Sequence, residues 1–192
     1  YDLSETQLGR DAEAAAHYGL SVNAIQGDMR DLSRFADDSF DVVWQAHSIN
    51  FVPDARGVFQ GAARVLRAGG LYRVACHNPF VMGIDERDWD GECYPLKRPY
   101  VDGVEVEYED ARWTVWDRHG DARMVEGPKE FRHTLSAMIN GLARNGFLIL
   151  GLWEEESEDE TAAPGTWDHF NYIAPASFTI WCTLRPDVLP PA

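Results

Sequence analysis

The sequence contains no apolar run approaching the roughly 20 residues that a helix needs to cross a bilayer. It also has no cluster of basic side chains, because its 17 lysines and arginines are spread along the chain. The formal net charge is -15, and a surface of that charge repels polyphosphate. We therefore expect neither nucleic acid nor an anionic membrane as a partner.

Cysteine is scarce, and its three copies, Cys76, Cys93 and Cys182, are far apart and form no Cys-x-x-Cys pair. Two of them lie in apolar, strand-like runs, which favours a reduced cytoplasmic protein. The sequence also lacks the His-Glu-x-x-His pattern of zinc proteases and the Gly-x-Ser-x-Gly elbow of serine hydrolases. We therefore predict no metal site and no Ser-His-Asp hydrolase.

The chain has enough apolar material for a single core. Of its 192 residues 45% are hydrophobic, and they include 7 Trp, 9 Phe and 7 Tyr. A chain of this length is typical of one domain, so residues 1–192 are predicted to form a single domain.

Strands and helices are predicted to alternate through residues 20–76. Residues 20–26 and 71–76 are predicted strands, and the continuous apolar run 40–44 is predicted to be a strand buried on both faces. Residues 54–67 are predicted to form an amphipathic helix that ends at Gly69 and Gly70. Parallel strands need a crossover helix between them, so this order favours an α/β fold with a mostly parallel sheet.

A helix is predicted over residues 4–18. Ser4 and Gln7 form a capping box at its start, and Gly19 provides its end. A strand normally precedes such a helix in an α/β protein, and only Tyr1 and Asp2 stand where that strand would end. We therefore expect the chain to begin partway through a fold.

Residues 78–127 break the regular pattern and are predicted to form an antiparallel insert. Residues 104–108, 113–116 and 122–125 alternate polar and apolar side chains, with a hairpin turn at 117–121. The insert is aromatic-rich and follows a core strand, which suits a lid. It could equally be a packing element or the interface of a homodimer.

The regular pattern resumes after the insert. A helix is predicted over 128–145 and strands over 147–153 and 177–184, with a solvated acidic loop at 154–160. No helical pattern separates the last two strands, so we expect a long hairpin and an antiparallel end to the sheet.

Several of these pieces together resemble a known family. They are, in chain order, Asp2-Leu3-Ser4, Gln26-Gly27-Asp28-Met29-Arg30-Asp31-Leu32, Phe40-Asp41-Val42-Val43, Arg64-Val65-Leu66-Arg67-Ala68-Gly69-Gly70 and Asn145-Gly146-Phe147. Their order and spacing are similar to those of the class I S-adenosylmethionine-dependent methyltransferases, especially members acting on small molecules. The resemblance implies a Rossmann-like, mostly parallel sheet with a terminal antiparallel hairpin, which argues against a nicotinamide oxidoreductase. It also implies S-adenosylmethionine as cofactor and methyl transfer to an O, N or C atom of a small organic molecule.

The sequence departs from this family in one respect. The family's first strand, first helix and glycine-rich loop are absent, because they would lie before Asp2. Two interpretations follow: a fragment of a longer protein, or a non-catalytic remnant or interaction domain that keeps the sheet. We expect the fragment, because the cut falls inside a strand rather than at a domain boundary.

The resemblance implies roles for five cofactor-binding residues. Asp2 would accept hydrogen bonds from the ribose hydroxyls, Leu3 would pack on the adenine, and Asp28 would accept from the adenine amino group. Met29 would contact the same ring, and Gln45 would face the methionine part of the cofactor. Structural alternatives remain, since Asp2 could be a solvated terminal residue and Asp28 an ordinary turn residue.

Methyl transfer needs alignment of the acceptor, and a base only when the acceptor atom carries a proton. Candidate bases are His47, just after a predicted strand, and His133, at the start of a predicted helix. Asn50, His77, Asn78 and Trp113 are candidate substrate-binding residues. Each has a structural alternative, because a lone histidine is more often a hydrogen-bonded structural residue and a strand tryptophan is more often packing.

Overall fold

The computed structural model describes residues 1–108, 111–116 and 119–188. Its centre is a four-stranded sheet in the order β1-β2-β8-β7. The strands are β1 (Phe40–Gln45), β2 (Leu66–His77), β7 (Phe147–Glu154) and β8 (Ser177–Leu184). β1 and β2 run parallel, whereas β8 runs antiparallel to both β2 and β7. The predicted α/β fold and the antiparallel end of the sheet are confirmed. The four strands form a mixed sheet, with one parallel pair and two antiparallel pairs.

Two helices cover one face of this sheet and form the core. They are α2 (Ala55–Val65) and α3 (Leu135–Arg144). The core side chains include Val58, Phe59, Ala62, Met138 and Leu142 from the helices and Tyr72, Val74, Ile180 and Cys182 from the strands. The helices approach closely at Gly141, where a Cβ would lie 2.9 Å from the Phe59 ring. Among the described residues, no helix is both long and apolar enough to cross a membrane.

Helix α1 (Glu5–Tyr18) forms as predicted, with Ser4 as its N-cap. The Ser4 hydroxyl accepts a hydrogen bond from the Gln7 backbone N–H at 3.3 Å. Gly19 ends the helix with φ +65°, a left-handed conformation that glycine adopts without steric cost.

The prediction that strand 40–44 is buried on both faces is wrong. Val42 is 48% exposed and Trp44 is 62% exposed, because β1 lies at the edge of the sheet and these side chains point away from the core. The Trp44 ring contacts Trp181 edge-on, and the Arg73 guanidinium lies 4.2 Å from its centroid.

Two further predictions for the first half of the chain need correction. Residues 20–26 form no strand, because Gln26 alone among them makes a bridge, which is parallel and joins it to Asp2. Helix α2 ends at Val65 rather than at Gly69 and Gly70, because Leu66 is already extended, with φ -79° and ψ 141°. β2 therefore includes both glycines, and its register with β1 is irregular there.

The insert is antiparallel, as predicted. β4 (Arg112–Trp116) pairs with β5 (Ala122–Glu126), and β3 (Glu105–Val106) pairs with β6 (Glu130–Phe131). Residues 117 and 118 of the predicted hairpin turn lie outside the described residues. The predicted helix 128–145 begins only at Leu135, because residues 130–131 pair as a strand and Thr134 caps α3.

A short helix, α4 (Trp167–Ile173), lies between β7 and β8, where no helix was predicted. The Thr166 hydroxyl caps it by accepting from the His169 backbone N–H. With 7 residues it is too short to show a helical period in the sequence, and two of its side chains, Phe170 and Asn171, are buried.

Candidate functional site

The carboxyl end of β1 is fixed by the buried side chain of Gln45. Its Nε2 donates to the Met29 Sδ at 3.2 Å, and its Oε1 accepts from the Tyr72 hydroxyl at 2.5 Å. The loop that contains Met29 is thereby tied to the end of β1. Met29 and Gln45, two predicted site residues, lie in direct contact.

The first residues of the chain join the same region through the backbone. The Asp2 carbonyl accepts from the Gly27 N–H at 2.9 Å, and the Asp2 N–H donates to the Ile25 carbonyl at 3.2 Å. The Gln26 side-chain amide also donates to the Leu3 carbonyl at 3.1 Å. These hydrogen bonds and the chain connection from Gly27 through Asp28 to Met29 link Asp2, Leu3, Asp28, Met29 and Gln45, which we call the strand-end rim.

The two acids of the rim are acceptors. Asp2 Oδ1 accepts from the Ser4 N–H at 2.7 Å, and both Asp28 oxygens accept from the Arg30 side chain. The hydrogen bond to Arg30 lowers the pKa of Asp28, with burial opposing it weakly. Asp28 is therefore ionised near neutral pH. Each of its oxygens already accepts two hydrogen bonds from Arg30, so a further donor would take the place of one of them.

Tyr72 is a residue of this region that the sequence analysis did not single out. It is fully buried, and burial raises the pKa of its phenol, so the hydroxyl stays a hydrogen-bond donor. Its donation to Oε1 fixes which end of the Gln45 amide faces Met29. The available signal was a tyrosine inside a buried strand, whose hydroxyl requires a partner.

His47 lies two residues after the end of β1, and His77 is the last residue of the parallel strand β2; their ring centroids are 5.7 Å apart. His47 has φ +52°, an uncommon conformation for a residue other than glycine. Burial and, less strongly, the neighbouring His77 lower the pKa of His47, whereas Glu155 opposes this. His47 is thus held neutral near pH 7 and can accept a proton.

His133 lies elsewhere, buried beneath the 3-10 turn Ser48–Phe51. Its Nε2 lies 3.1 Å from the Ile49 carbonyl and 2.9 Å from the Val52 carbonyl, and a nitrogen so placed donates to them. These contacts favour the structural role that the sequence left open for His133.

The amide side chains of Asn50 and Asn78 are bound to the backbone. Asn50 is 1% exposed; its Oδ1 accepts from the His77 N–H at 3.0 Å, and its Nδ2 donates to the Phe131 carbonyl at 3.2 Å. Asn78 donates to the Pro175 carbonyl at 2.9 Å and accepts from the Phe80 N–H. Both residues therefore hold the loops around the strand ends in place.

Trp113 brings the insert near the strand ends. It lies on β4, and its ring centroid is 5.9 Å from that of Phe51, in the turn that follows β1. The ring is partly exposed. Trp113 therefore contacts the turn that contains Asn50.

A cavity of about 310 Å³ lies within the insert, and we call it the insert cavity. Its walls are formed by Gly83, Asp85, Arg87, Asp88, Lys97, Arg98 and Tyr108. None of the strand-end rim residues lines it. In the described part of the chain, no three His, Cys, Asp or Glu side chains are grouped so that they could hold a metal ion.

Comparison with known proteins shows similarity to methyltransferases. Residues 1–74 match the methyltransferase domain family. The chain is 30% identical over 159 residues to the uncharacterized methyltransferase YbaJ of Bacillus subtilis, and this match covers 81% of the chain and 58% of YbaJ. It is 35% identical over 168 residues to the sterol 24-C-methyltransferase ERG6B of Gibberella zeae, a match that covers 86% of the chain and 37% of that protein.

The fold agrees with these matches. A solved structure from Listeria monocytogenes, described as a candidate S-adenosylmethionine-dependent methyltransferase, superposes with a TM-score of 0.63 at 18% identity. The match covers 95% of this chain and 77% of the other. The resemblance stated from the sequence is confirmed, although the chain spans only a little over half the length of its bacterial relative and about a third of the fungal one.

Proposed function

We propose that this chain, which is similar to S-adenosylmethionine-dependent methyltransferases, transfers a methyl group from that cofactor to a small organic molecule. The fungal relative is a sterol methyltransferase, but the match covers 37% of its length, so it does not identify the acceptor. The acceptor atom is O, N or C of a small molecule that reaches the carboxyl ends of β1 and β2.

One observation carries the proposal, namely the continuity of the strand-end rim. An adenosyl group offers hydroxyl and amino donors and a flat apolar ring. The rim offers two carboxylate acceptors, Asp2 and Asp28, and an exposed apolar side chain, Leu3, which is 68% exposed. The chemistry of these residues therefore fits the cofactor, with Gln45 next to the methionine part.

When bound, S-adenosylmethionine supplies an electrophilic methyl group on a sulfonium sulfur. The chain's residues then align the acceptor atom in line with the methyl carbon. Where that atom carries a proton, we assign His47 as the candidate base, because its imidazole is held neutral and lies beside His77. The hairpin that contains Trp113 contributes the side of the acceptor pocket that faces the insert.

Calorimetric titration with two cofactor analogues tests the rim. S-adenosylhomocysteine carries the adenine amino group, and S-inosylhomocysteine has a carbonyl in its place. If Asp28 accepts from that amino group, the first analogue binds about tenfold more tightly, the value of one charge-assisted hydrogen bond. Equal affinity for the two would remove Asp28 from this role.

The alternative is a non-catalytic remnant or interaction domain that retains the sheet. The observation that favours it is the position of the insert cavity, which none of the rim residues lines. Lack of binding of both analogues at millimolar concentration would favour this alternative over the enzyme.

The cell compartment and the assembly state belong to the same proposal. A reducing, cytoplasmic setting is supported by three free thiols, of which Cys76 and Cys182 are buried and Cys93 is exposed.

The insert, with its exposed Trp116, is the surface that a homodimer would use. Sedimentation of wild type and Trp116→Ser would detect this dimer and its loss.

A further inference from the structure

The walls of the insert cavity are enriched in positive charge. Residues 81–108 contain eight acidic and three basic residues. All three basic residues line the cavity, whereas only two of the acids do, Asp85 and Asp88. In a chain whose net charge is -15, all three cations of this segment line one open cavity, and six of its eight acids do not.

The two acids in the wall already have cationic partners. Arg87 lies 2.6 Å from Asp85, and Lys97 lies 2.7 Å from Asp88. The third cation, Arg98, forms no ion pair within the described part of the chain. It donates one hydrogen bond, from Nη2 to the Glu107 carbonyl at 2.9 Å. Its positive charge is therefore uncompensated at the cavity.

A second such cation, Arg132, lies behind the wall and is 3% exposed. Its guanidinium donates to two neutral acceptors, the Met82 carbonyl at 2.6 Å and the Pro99 carbonyl. Met82 and Pro99 are the chain neighbours of Gly83 and Arg98, which line the cavity. Arg132 therefore holds together the two chain segments that contain Gly83 and Arg98.

The Nε of Arg132 is buried and has no hydrogen-bond partner among the described residues. A buried guanidinium without a carboxylate partner is costly, and such an exception calls for an explanation. Burial accordingly lowers the pKa of Arg132. An anion in the adjoining cavity would offset this cost, because it would supply the missing negative charge at short range.

The neighbouring acid does not supply that charge directly. Glu130, two residues before Arg132, is also buried, and its Oε2 accepts from the Tyr108 hydroxyl at 2.6 Å. It makes no ion pair with Arg132 within the described residues. Because the Tyr108 hydroxyl donates to Glu130, Tyr108 lines the cavity without offering this proton to a ligand.

We propose that the insert cavity binds the carboxylate or phosphate group of a small molecule, with Arg98 as the direct ligand and Arg132 reinforcing the positive potential. Its volume, about 310 Å³, is at the lower end of the range for small-molecule sites. The site is separate from the strand-end rim and does not depend on the proposed methyl transfer.

Calorimetry with two simple anions tests the site and distinguishes the two chemistries. Inorganic phosphate and succinate are titrated separately into this chain, with sodium chloride keeping the ionic strength constant. We expect saturable binding of at least one of them at one site per chain. Phosphate alone would indicate a phosphorylated ligand, and succinate alone a carboxylate.

Two arginine variants provide the control. Arg98→Gln should weaken binding of the anion at least fivefold, whereas Arg10→Gln, which removes the same charge from the exposed face of α1, should leave it unchanged. Arg98 is exposed, so its variant should fold, which circular dichroism checks. Absence of saturable binding, or equal losses in the two variants, would overturn the proposal.

Discussion

The strand-end rim and the insert cavity are built in opposite ways. The rim joins neighbouring loops through backbone hydrogen bonds and one neutral amide, and its two acids accept hydrogen bonds from Ser4 and Arg30. The cavity joins distant segments through charged side chains, and its uncompensated groups are cations. The rim therefore suits a ligand rich in donors, and the cavity suits an anion.

Asn50 connects the two regions, so its loss should have the largest effect. It holds the His77 backbone near the rim and the Phe131 backbone near Arg132. Asn50→Ala removes the partner of two partly buried backbone groups, and we expect the free energy of unfolding to fall by about 3 kcal/mol. Urea denaturation measures this change.

Asn140→Ala is the matched control, because Asn140 is exposed on α3. We expect its effect to stay within about 0.5 kcal/mol. A similar small effect for Asn50→Ala would mean that the two regions are not linked through this side chain.

Asp28→Asn tests whether the rim and the insert cavity bind their ligands independently. It removes a charged acceptor from the rim and leaves the insert untouched, so we expect about tenfold weaker binding of S-adenosylhomocysteine and unchanged phosphate binding. Arg98→Gln should show the reverse pattern. Calorimetry on both variants gives the four affinities, with Asp11→Asn on α1 as the charge control. If either variant weakened both ligands equally, the two sites would not be independent.

Tyr72→Phe tests whether the Tyr72 hydroxyl holds Gln45 in the rim, and we expect a smaller effect than for the two preceding variants. The variant removes only the hydroxyl that donates to Gln45, so unfolding should become easier by about 1 kcal/mol. The freed amide should also weaken S-adenosylhomocysteine binding about threefold. Tyr18→Phe, at an exposed tyrosine of α1, should change neither quantity. A threefold loss in the control as well would exclude the proposed role of Tyr72.

The smallest expected effect concerns pH. The pKa of His47 is lowered from 6.5 in the folded chain, so below pH 6.5 the unfolded chain binds the proton more readily. Stability is therefore lost as the pH falls through that range, and because His47 is only partly buried the loss stays below about 1 kcal/mol.

His47→Gln removes this titration, so the free energy of unfolding of the variant should fall less than that of wild type between about pH 7.5 and about pH 5.5. His17→Gln, on helix α1, controls for the loss of an imidazole elsewhere. Parallel curves for wild type and His47→Gln would show that His47 is not held neutral by its surroundings.

Part of the rim could be predicted from the sequence, because its residues stand in short motifs that follow an apolar run or precede a helix. Gly27-Asp28-Met29 and Gln45 each follow an apolar run, and position along the chain was enough to place them. Tyr72 could not be placed, because its role depends on a contact across the sheet to Gln45.

The insert cavity could not be predicted for a related reason. Its walls and Arg132 come from segments up to fifty residues apart, and pairing of β3 with β6 brings them together. The burial of β1 was mispredicted because an apolar run carries no information about which neighbours cover it. Local patterns thus gave the elements and the rim, whereas long-range pairing determined the cavity.

The most direct measurement is a crystal structure of this chain with S-adenosylhomocysteine. The account predicts the adenine amino group within hydrogen-bond distance of the Asp28 carboxylate, the ribose at Asp2 and the adenine face on Leu3. An adenosyl group bound elsewhere, or in the insert cavity, would contradict the assignment of the strand-end rim as the cofactor site.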